Sequence, residues 1–431
     1  MSTAGLRFAM ITTFYPPYHF GGDAIFIRRL AHALVRRGHR VDVIHDVDAF
    51  DLLNRGGPPE PIAEPAGLSV HRLRSRFGAL SCLATHQTGR PVVHGRRLRR
   101  ILDQGRFDVV QFHNVSLVGG PGVLSYGDGI KLYMAHEHWL VCPTHVLWRH
   151  NRELCTGREC LRCVLRHRRP PQLWRYTGLL ESQLRHVDAF YSPSRFSAEK
   201  HREFGFSRPL EVIPYFLPDL DSCAEAPREA DAPVLTRPYF LFVGRLEKIK
   251  GLQDVIPSFT DDSPADLAIV GTGEYESELR RSAAGRSRVH FLGKRTPEEL
   301  RTLYRRAVAA LMPSVCYETF GIVLLEAFRE RTPVIARALG PMIEIVEESG
   351  GGLLFRTREE LDHSLRLLAT DAAARDRLGE AGRRALAERW TESVVLQQYF
   401  DLIRRVAAQR GRSRVLDVLG TLAAEEARAR A

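Results

Sequence analysis

Tyr317-Glu-Thr-Phe-Gly-Ile-Val-Leu-Leu-Glu-Ala327 is the stretch on which the reading of this chain turns. It follows a strand-like Ala309-Ala-Leu-Met-Pro-Ser314, and an apolar helical run begins at Gly321. Glu318 therefore falls in a strand-to-helix loop and Glu326, eight positions on, on the helix itself. The first N–H groups of a helix have no partner within it, and the helix dipole adds partial positive charge there. The backbone N–H groups of Phe320, Gly321 and Ile322 are thus predicted donors for an anion such as a diphosphate. The spacing of two glutamates decides little alone, because Glu is a common helix former. The segments on either side decide the rest.

Upstream, a strand over 239–243 runs into Gly244-Arg-Leu-Glu-Lys-Ile-Lys-Gly251. Glycines let the backbone come close to a ligand, and Arg245 and Lys250 bring charge suited to phosphate. Two more glycine turns end strands in the same manner: Val270-Gly-Thr-Gly273, with Gly271 and Gly273, and Leu292-Gly-Lys294, with Gly293. Strands over 266–270, 289–292, 309–312 and 333–336 alternate with helices from 252, from 275, over 297–306 and over 321–330. The N-terminal half alternates too, with strands over 6–12, 41–45, 109–112, 131–134, 189–192 and 211–213 and helices over 24–37 and 195–204. Alternation of this kind predicts parallel, doubly wound sheets. Residues 218–238 carry four prolines and no apolar periodicity and are predicted to link two Rossmann-like domains, 1–217 and 239–390. Residues 391–431 are wholly helical in pattern and are expected to pack back on the first domain, ending in an Ala/Arg-rich tail to Ala431 that is expected to fray or to form an exposed helix.

At 431 residues the chain is long enough for two domains, and 44% hydrophobic with 26% charged residues is ordinary globular composition. It has no stretch of eighteen apolar residues and no secretory leader pattern, so a cytoplasmic protein is expected, peripheral at most to the inner face of a membrane. The formal net charge of +11 is local: from 72 to 175 there are 18 Lys plus Arg against 6 Asp plus Glu. Arg96-Arg-Leu-Arg-Arg100 and Arg166-His-Arg-Arg169 suit an anionic membrane surface or an acidic acceptor; no nucleic-acid motif accompanies them, so no nucleic-acid partner is expected. Four cysteines, Cys142, Cys155, Cys160 and Cys163, are spaced C-x12-C-x4-C-x2-C and predict a structural zinc site, with buried unligated thiols as the other reading. Asp46-Val-Asp48 has the D-x-D form of a metal-binding pair, but reads as a surface loop after a strand.

The ordered set of Gly-Arg-Leu with Lys250-Gly251, Gly271-Thr-Gly273, Phe291-Leu-Gly293 and Glu318-Thr-Phe-Gly321 running to Glu326 resembles the retaining glycosyltransferases of family 4. In the N-terminal half Pro16-Pro with Gly21-Gly22, Val187-Asp-Ala-Phe-Tyr-Ser192 and Val212-Ile-Pro214 match as well, so the likeness runs from Leu6 to Arg405. That resemblance implies the GT-B architecture, an α/β fold of two Rossmann-like domains facing across a cleft. It implies transfer of a sugar from a nucleotide-diphosphate sugar to a hydroxyl acceptor with retention, the acceptor being a lipid-linked, cell-surface or secondary-metabolite glycan precursor.

Carried over residue by residue, the resemblance implies that Arg245 and Lys250 hold the diphosphate and that N–H groups at Phe320, Gly321 and Ile322 cap it. Glu326 would take the ribose hydroxyls, Glu318 the transferred sugar, and Gly22 would let the N-terminal loop close over the phosphate. His136, in Ala135-His-Glu-His-Trp139, aligns with the family's histidine near the sugar, although Glu137 stands where Asp is usual, and Tyr215-Phe216 stand where Asn-Gly is common. No cofactor is required on this reading, and the two cations do the work of a divalent metal. An NAD-dependent enzyme would need G-x-G-x-x-G after the first strand, where Thr12-Thr-Phe-Tyr-Pro-Pro stands instead. A non-catalytic protein binding polyanions or membrane through its basic half is the remaining alternative.

Overall fold

The computed structural model describes residues 5–54, 56–57, 59–220 and 235–430, with the backbone alone for 425–430. Most of the expected linker, 218–238, and Cys223 with it, therefore lies outside the described residues. Fifteen strands are described. In the N-terminal part they are β1 (Arg7–Ile11), β2 (Arg40–Asp46), β3 (Leu68–Leu73), β4 (Val109–Phe112), β5 (Ile130–Met134), the short pair β6 (Trp148–Arg149) and β7 (Glu153–Leu154), β8 (Ala189–Ser192) and β9 (Leu210–Val212). In the C-terminal part they are β10 (Tyr239–Val243), β11 (Asp266–Val270), β12 (Val289–Gly293), β13 (Ala309–Met312), β14 (Val334–Arg337) and β15 (Gly352–Phe355).

The strands build two sheets, each parallel throughout: β3-β2-β1-β4-β5-β8-β9 and β12-β11-β10-β13-β14-β15. A parallel sheet covered by helices on both faces buries its strands fully, and β4, β5, β11 and β13 are buried at every position. In both sheets the order reverses beside the first strand, between β1 and β4 and between β10 and β13. Loops diverge at such a switch point, and the crevice beyond the strand ends is where this fold takes ligands. The loop after β1 leads to helix Gly22–Arg36, the loop after β10 carries Arg245 and Lys250, and the loop after β13 carries Glu318.

Three parts of the fold differ from the sequence reading. β3 and the helices Ala79–Thr88 and Gly95–Gly105 fill the interval between β2 and β4 that periodicity left blank. Asp46 and Asp48 are not in a surface loop. Asp46 ends β2 and caps helix Val47–Leu53, and both carboxylates are buried. Asp48 accepts from the backbone and hydroxyl of Ser75 and from His94 Nε2, at 2.6–3.1 Å, so the pair ties β2 to neighbouring segments. The C-terminal tail, expected to fray or to form an exposed helix, makes helix Ser413–Arg430, and Val415, Val418 and Leu419 are buried.

Helix Glu392–Gln409 spans the two halves. Leu217 N–H donates to Trp390 O at 2.9 Å, Arg37 pairs with Glu392 at 2.6 Å, and Tyr399 donates to Gln111 on β4 at 3.2 Å. The end of the chain is thereby fastened to the first sheet, and the two switch points face one another.

Candidate active site

The loop after β10 is shaped by two glycines. Gly251 has φ 75°, and a Cβ there would lie 2.0 Å from Pro313 O, so only glycine lets this turn rest on the end of β13. Val315 N–H donates to Ile249 O at 2.9 Å and fixes the contact. Gly271 has φ 134°, and its Cβ would lie 1.9 Å from Gly244 O. The predicted donor-binding Gly271 and Gly273 thus underlie the Gly244–Leu246 turn; Leu246 N–H donates to Thr272 O, and Gly271 N–H to Gly293 O. These glycines form the floor on which Arg245 is mounted.

Held in that way, Lys250 Nζ reaches Glu318 Oε1 at 2.7 Å, and Ser314 Oγ donates to the same oxygen at 2.7 Å. Burial alone would favour the neutral forms of both groups. Mutual attraction outweighs it, so Lys250 is held above its ordinary value and Glu318, which also feels Arg245, below its own. The pair is an ion pair at neutral pH. Arg245 lies against Glu247 at 2.9 Å with its side chain half exposed.

Gly321 caps helix Ile322–Arg329, and its side-chain-free Cα packs against Met342. Glu326 lies one turn in, where Tyr304 OH donates to its Oε2 at 3.1 Å; among the described residues its other oxygen accepts no hydrogen bond. Opposite stands the start of helix Gly22–Arg36: a Cβ on Gly22 would lie 3.8 Å from Ile322 Cγ2. Two helix N-termini therefore meet across the crevice with Arg245 and Lys250 beside them. The next residue, Asp23, was not anticipated; its carboxyl is pushed up to about 6 by burial and by repulsion from Glu137.

His136 is buried, and both ring nitrogens have partners inside the N-terminal domain: Nε2 lies 2.7 Å from His113 Nδ1, and Nδ1 lies 2.6 Å from Tyr215 OH. Burial lowers its pKa to about 3, so the ring is neutral. Across the crevice Thr319 is gripped twice. Its hydroxyl donates to His136 O at 2.7 Å, and its carbonyl accepts from Ser194 Oγ at 2.7 Å. Glu344 accepts from Arg195 N–H and Phe196 N–H, each at 3.1 Å, at the start of helix Arg195–Glu203.

The four clustered cysteines line one small cavity together with Thr144, Trp148 and Glu159, and their thiols are free. Zinc–sulfur bonds of about 2.3 Å would place the sulfurs roughly 3.8 Å apart. Among the described residues no three cysteine sulfurs come within 4.8 Å of one another; the one set of three that does is Asp46, Asp48 and His94. The structure thus does not support the predicted structural zinc.

Comparison with known proteins identifies the family. Residues 20–217 match the family model described as Glycosyltransferase Family 4, and residues 225–385 match that of Glycosyl transferases group 1. The chain belongs to glycosyltransferase family 4. An uncharacterized glycosyltransferase of Methanocaldococcus jannaschii is 27% identical over 371 residues, which are 81% of this chain and 84% of that protein. In fold the glycosyltransferase is similar to the sucrose-phosphate synthase of Thermosynechococcus elongatus, with a TM-score of 0.71, 20% identity and coverage of 94% and 100% of the two chains. It is also similar to HepE of Anabaena, solved with UDP-glucose, with a TM-score of 0.63, 16% identity and coverage of 94% and 100%. The GT-B architecture expected from the sequence is the observed one, and the dehydrogenase and non-catalytic alternatives are not favoured. Among the described residues no helix is long and apolar enough to cross a membrane.

Proposed function

We propose that this glycosyltransferase moves a sugar with retention of anomeric configuration from a nucleotide-diphosphate sugar to a hydroxyl acceptor, without a divalent metal. The observation that carries the reading is the Lys250–Glu318 ion pair at 2.7 Å beside the facing starts of helices Gly22–Arg36 and Ile322–Arg329. Arg245, Lys250 and the N–H groups of Phe320, Gly321 and Ile322 take the diphosphate, and the free oxygen of Glu326 takes the ribose. Glu318 faces the transferred sugar. As the anomeric C–O bond to phosphate breaks, charge develops on the diphosphate, and fixed cations and N–H dipoles lower that barrier. The acceptor oxygen bonds to the anomeric carbon on the face that the phosphate leaves, and its proton passes to the departing phosphate oxygen.

UDP is the first nucleotide to test, because HepE, a fold neighbour, was solved with UDP and UDP-glucose. A thermal-shift screen of UDP-, GDP- and dTDP-sugars identifies the donor, since a ligand specific to the native state raises the melting temperature. Turnover of that donor is expected to persist in excess chelator. Strict dependence on added manganese or magnesium would sink the metal-independent part.

The acceptor is proposed to be lipid-linked or otherwise carried at an anionic membrane. Helix Cys160–Arg166 in the 142–175 insert exposes Leu161 and Leu165 beside Arg162 and Arg166, and Leu173 and Tyr176, a few residues on, are exposed as is Leu80 on helix Ala79–Thr88, which packs against them. Arg96, Arg97, Arg99 and Arg100 are exposed along helix Gly95–Gly105. Apolar side chains among arginines suit an anionic bilayer surface. Sedimentation with phosphatidylglycerol vesicles is expected to fall when Leu161 and Leu165 become serine; unchanged sedimentation counts against a membrane-borne acceptor.

A further inference from the structure

The D-x-D pair Asp46 and Asp48 has no part in the donor site. With His94 the two aspartates are the one group of three among the described residues whose ligand-type atoms all lie within 4.8 Å of one another, and each residue is 5% exposed or less. They come from separate elements: Asp46 from the end of β2, Asp48 from the first turn of helix Val47–Leu53, and His94 from the start of helix Gly95–Gly105.

Two carboxylates this close repel one another, and burial strengthens the repulsion. Among the described residues neither has a lysine or arginine partner; His94 alone pairs with Asp48. Asp48 is nonetheless well supplied with donors, from Ser75 N–H, Ser75 Oγ and His94 Nε2. Asp46 is not. Its Oδ1 accepts from Ala49 N–H at 3.2 Å, while its Oδ2 is buried without a partner among the described residues. An orphaned carboxylate oxygen in the interior is costly. A proton would relieve the charge, and burial, with Asp48 and Asp51 nearby, raises Asp46 to about 7. A proton on Oδ2 would still be a buried donor without an acceptor. A cation answers both the charge and the orphaned oxygen.

The spacing leaves room for one. The centre of three atoms within 4.8 Å of one another lies at most about 2.8 Å from each, and divalent ions take carboxylate oxygens and imidazole nitrogens at about 2.0–2.6 Å. His94 Nε2 and Asp48 Oδ2 stand 3.1 Å apart, as two ligands do at right angles on an ion about 2.2 Å from each.

We propose that Asp46, Asp48 and His94 hold a divalent cation that clamps the outer part of the first sheet, His94 binding through Nε2 with its proton on Nδ1 and Ser75 orienting Asp48. The ion ties the end of β2 and two helix starts to one point. A closed, buried set suits a structural ion taken up as the chain folds rather than one exchanged in turnover. None of the proposed donor-site residues belongs to the set, so the clamp is separate from the chemistry of transfer.

Manganese(II) is the probe, because carboxylate and imidazole donors suit it whereas thiols favour softer ions. Full-length protein stripped with chelator and dialysed should bind one manganese per chain, read as loss of the free-ion signal in electron paramagnetic resonance, and should melt higher with the ion than without it. Asp46→Asn keeps the helix cap, since Asn caps as well as Asp, and His94→Gln keeps a hydrogen bond for Asp48. Each variant should bind manganese more than about tenfold more weakly and lose the ion-dependent rise in melting temperature. Cys163→Ser should bind it as the wild type does. Failure of the wild type to bind manganese, wild-type affinity in both the Asp46 and His94 variants, or loss of binding in Cys163→Ser each overturns the proposal. None of these readouts uses sugar transfer, so they do not depend on the donor-site reading.

Discussion

At the scale of single residues, Glu318 and Glu326 have separate proposed jobs and unequal surroundings. Glu326 keeps an oxygen beside its bond from Tyr304, so Glu326→Ala removes the proposed ligand hydrogen bonds together with the acceptor of the Tyr304 hydroxyl. Hydrogen bonds to a charged group contribute about 1.5–3 kcal/mol, so nucleoside diphosphate should bind roughly 10–100-fold more weakly by calorimetry. Glu318 also holds Lys250, so its removal leaves a partly buried ammonium without a partner and disturbs the phosphate site as well as the sugar contact. Glu318→Gln is the cleaner probe and should lower kcat more than it weakens diphosphate binding; a weakening as large as that of Glu326→Ala would contradict the sugar-facing role. The buried histidines set a second expectation. Burial lowers His39 to about 4, His45 to about 3, His136 to about 3 and His201 to about 4, so the unfolded chain takes up protons first as pH falls. Their contribution to stability is complete above the unfolded value of about 6.5 and is lost as pH falls towards 3–4. Asp46, raised to about 7, and Asp23, raised to about 6, act in the opposite sense over an overlapping range, but the histidines outnumber them. Melting temperature should fall steadily below pH 6.5, and His45→Leu, at a ring whose two nitrogens have no hydrogen-bond partner among the described residues, should flatten the slope.

At the scale of elements, the loop proposed to bind phosphate is a backbone construction. Gly251 combines a left-handed φ with a 2.0 Å approach to Pro313 O, so Gly251→Ala must lift the turn off β13 and draw Lys250 away from Glu318 and Ser314. A strained backbone position of this kind costs about 1–3 kcal/mol before the contact is counted. The variant should melt lower and bind nucleoside diphosphate at least tenfold more weakly; wild-type affinity would show that the loop does not depend on this contact. Sequence reading could find the glycines as turn formers after strands, because strand periodicity and glycine clustering are local. It could not tell that Gly271 and Gly273 support a neighbouring loop, since that depends on which strands stand side by side. β3 and its two following helices escaped for a related reason: β3 is partly exposed at a sheet edge, and its alternation is weak. The cysteine spacing was legible, but the sulfur geometry that would make it a metal site was not.

At the scale of the whole molecule, closure of the crevice depends on the seam around Thr319. Its hydroxyl and carbonyl are both bonded to the N-terminal domain, and Glu344 receives two backbone N–H groups of helix Arg195–Glu203. Combining Ser194→Ala with Glu344→Gln should favour an open form, with a larger radius of gyration by small-angle scattering and a lower kcat. Affinity for bare nucleoside diphosphate should hardly change, because its proposed contacts are mostly on the C-terminal domain. Scattering identical to wild type would show that the seam does not govern closure. The sequence by itself determined the two parallel sheets, the loops at their strand ends and the family, because alternation, glycine turns and the charges beside them are properties of consecutive residues. Only the tertiary structure decided that Lys250 pairs with Glu318, that His136 is enclosed by His113 and Tyr215, and that Asp46 and Asp48 are buried. Those pairings join residues tens of positions apart, and burial and hydrogen-bond geometry exist only once the chain has brought them together.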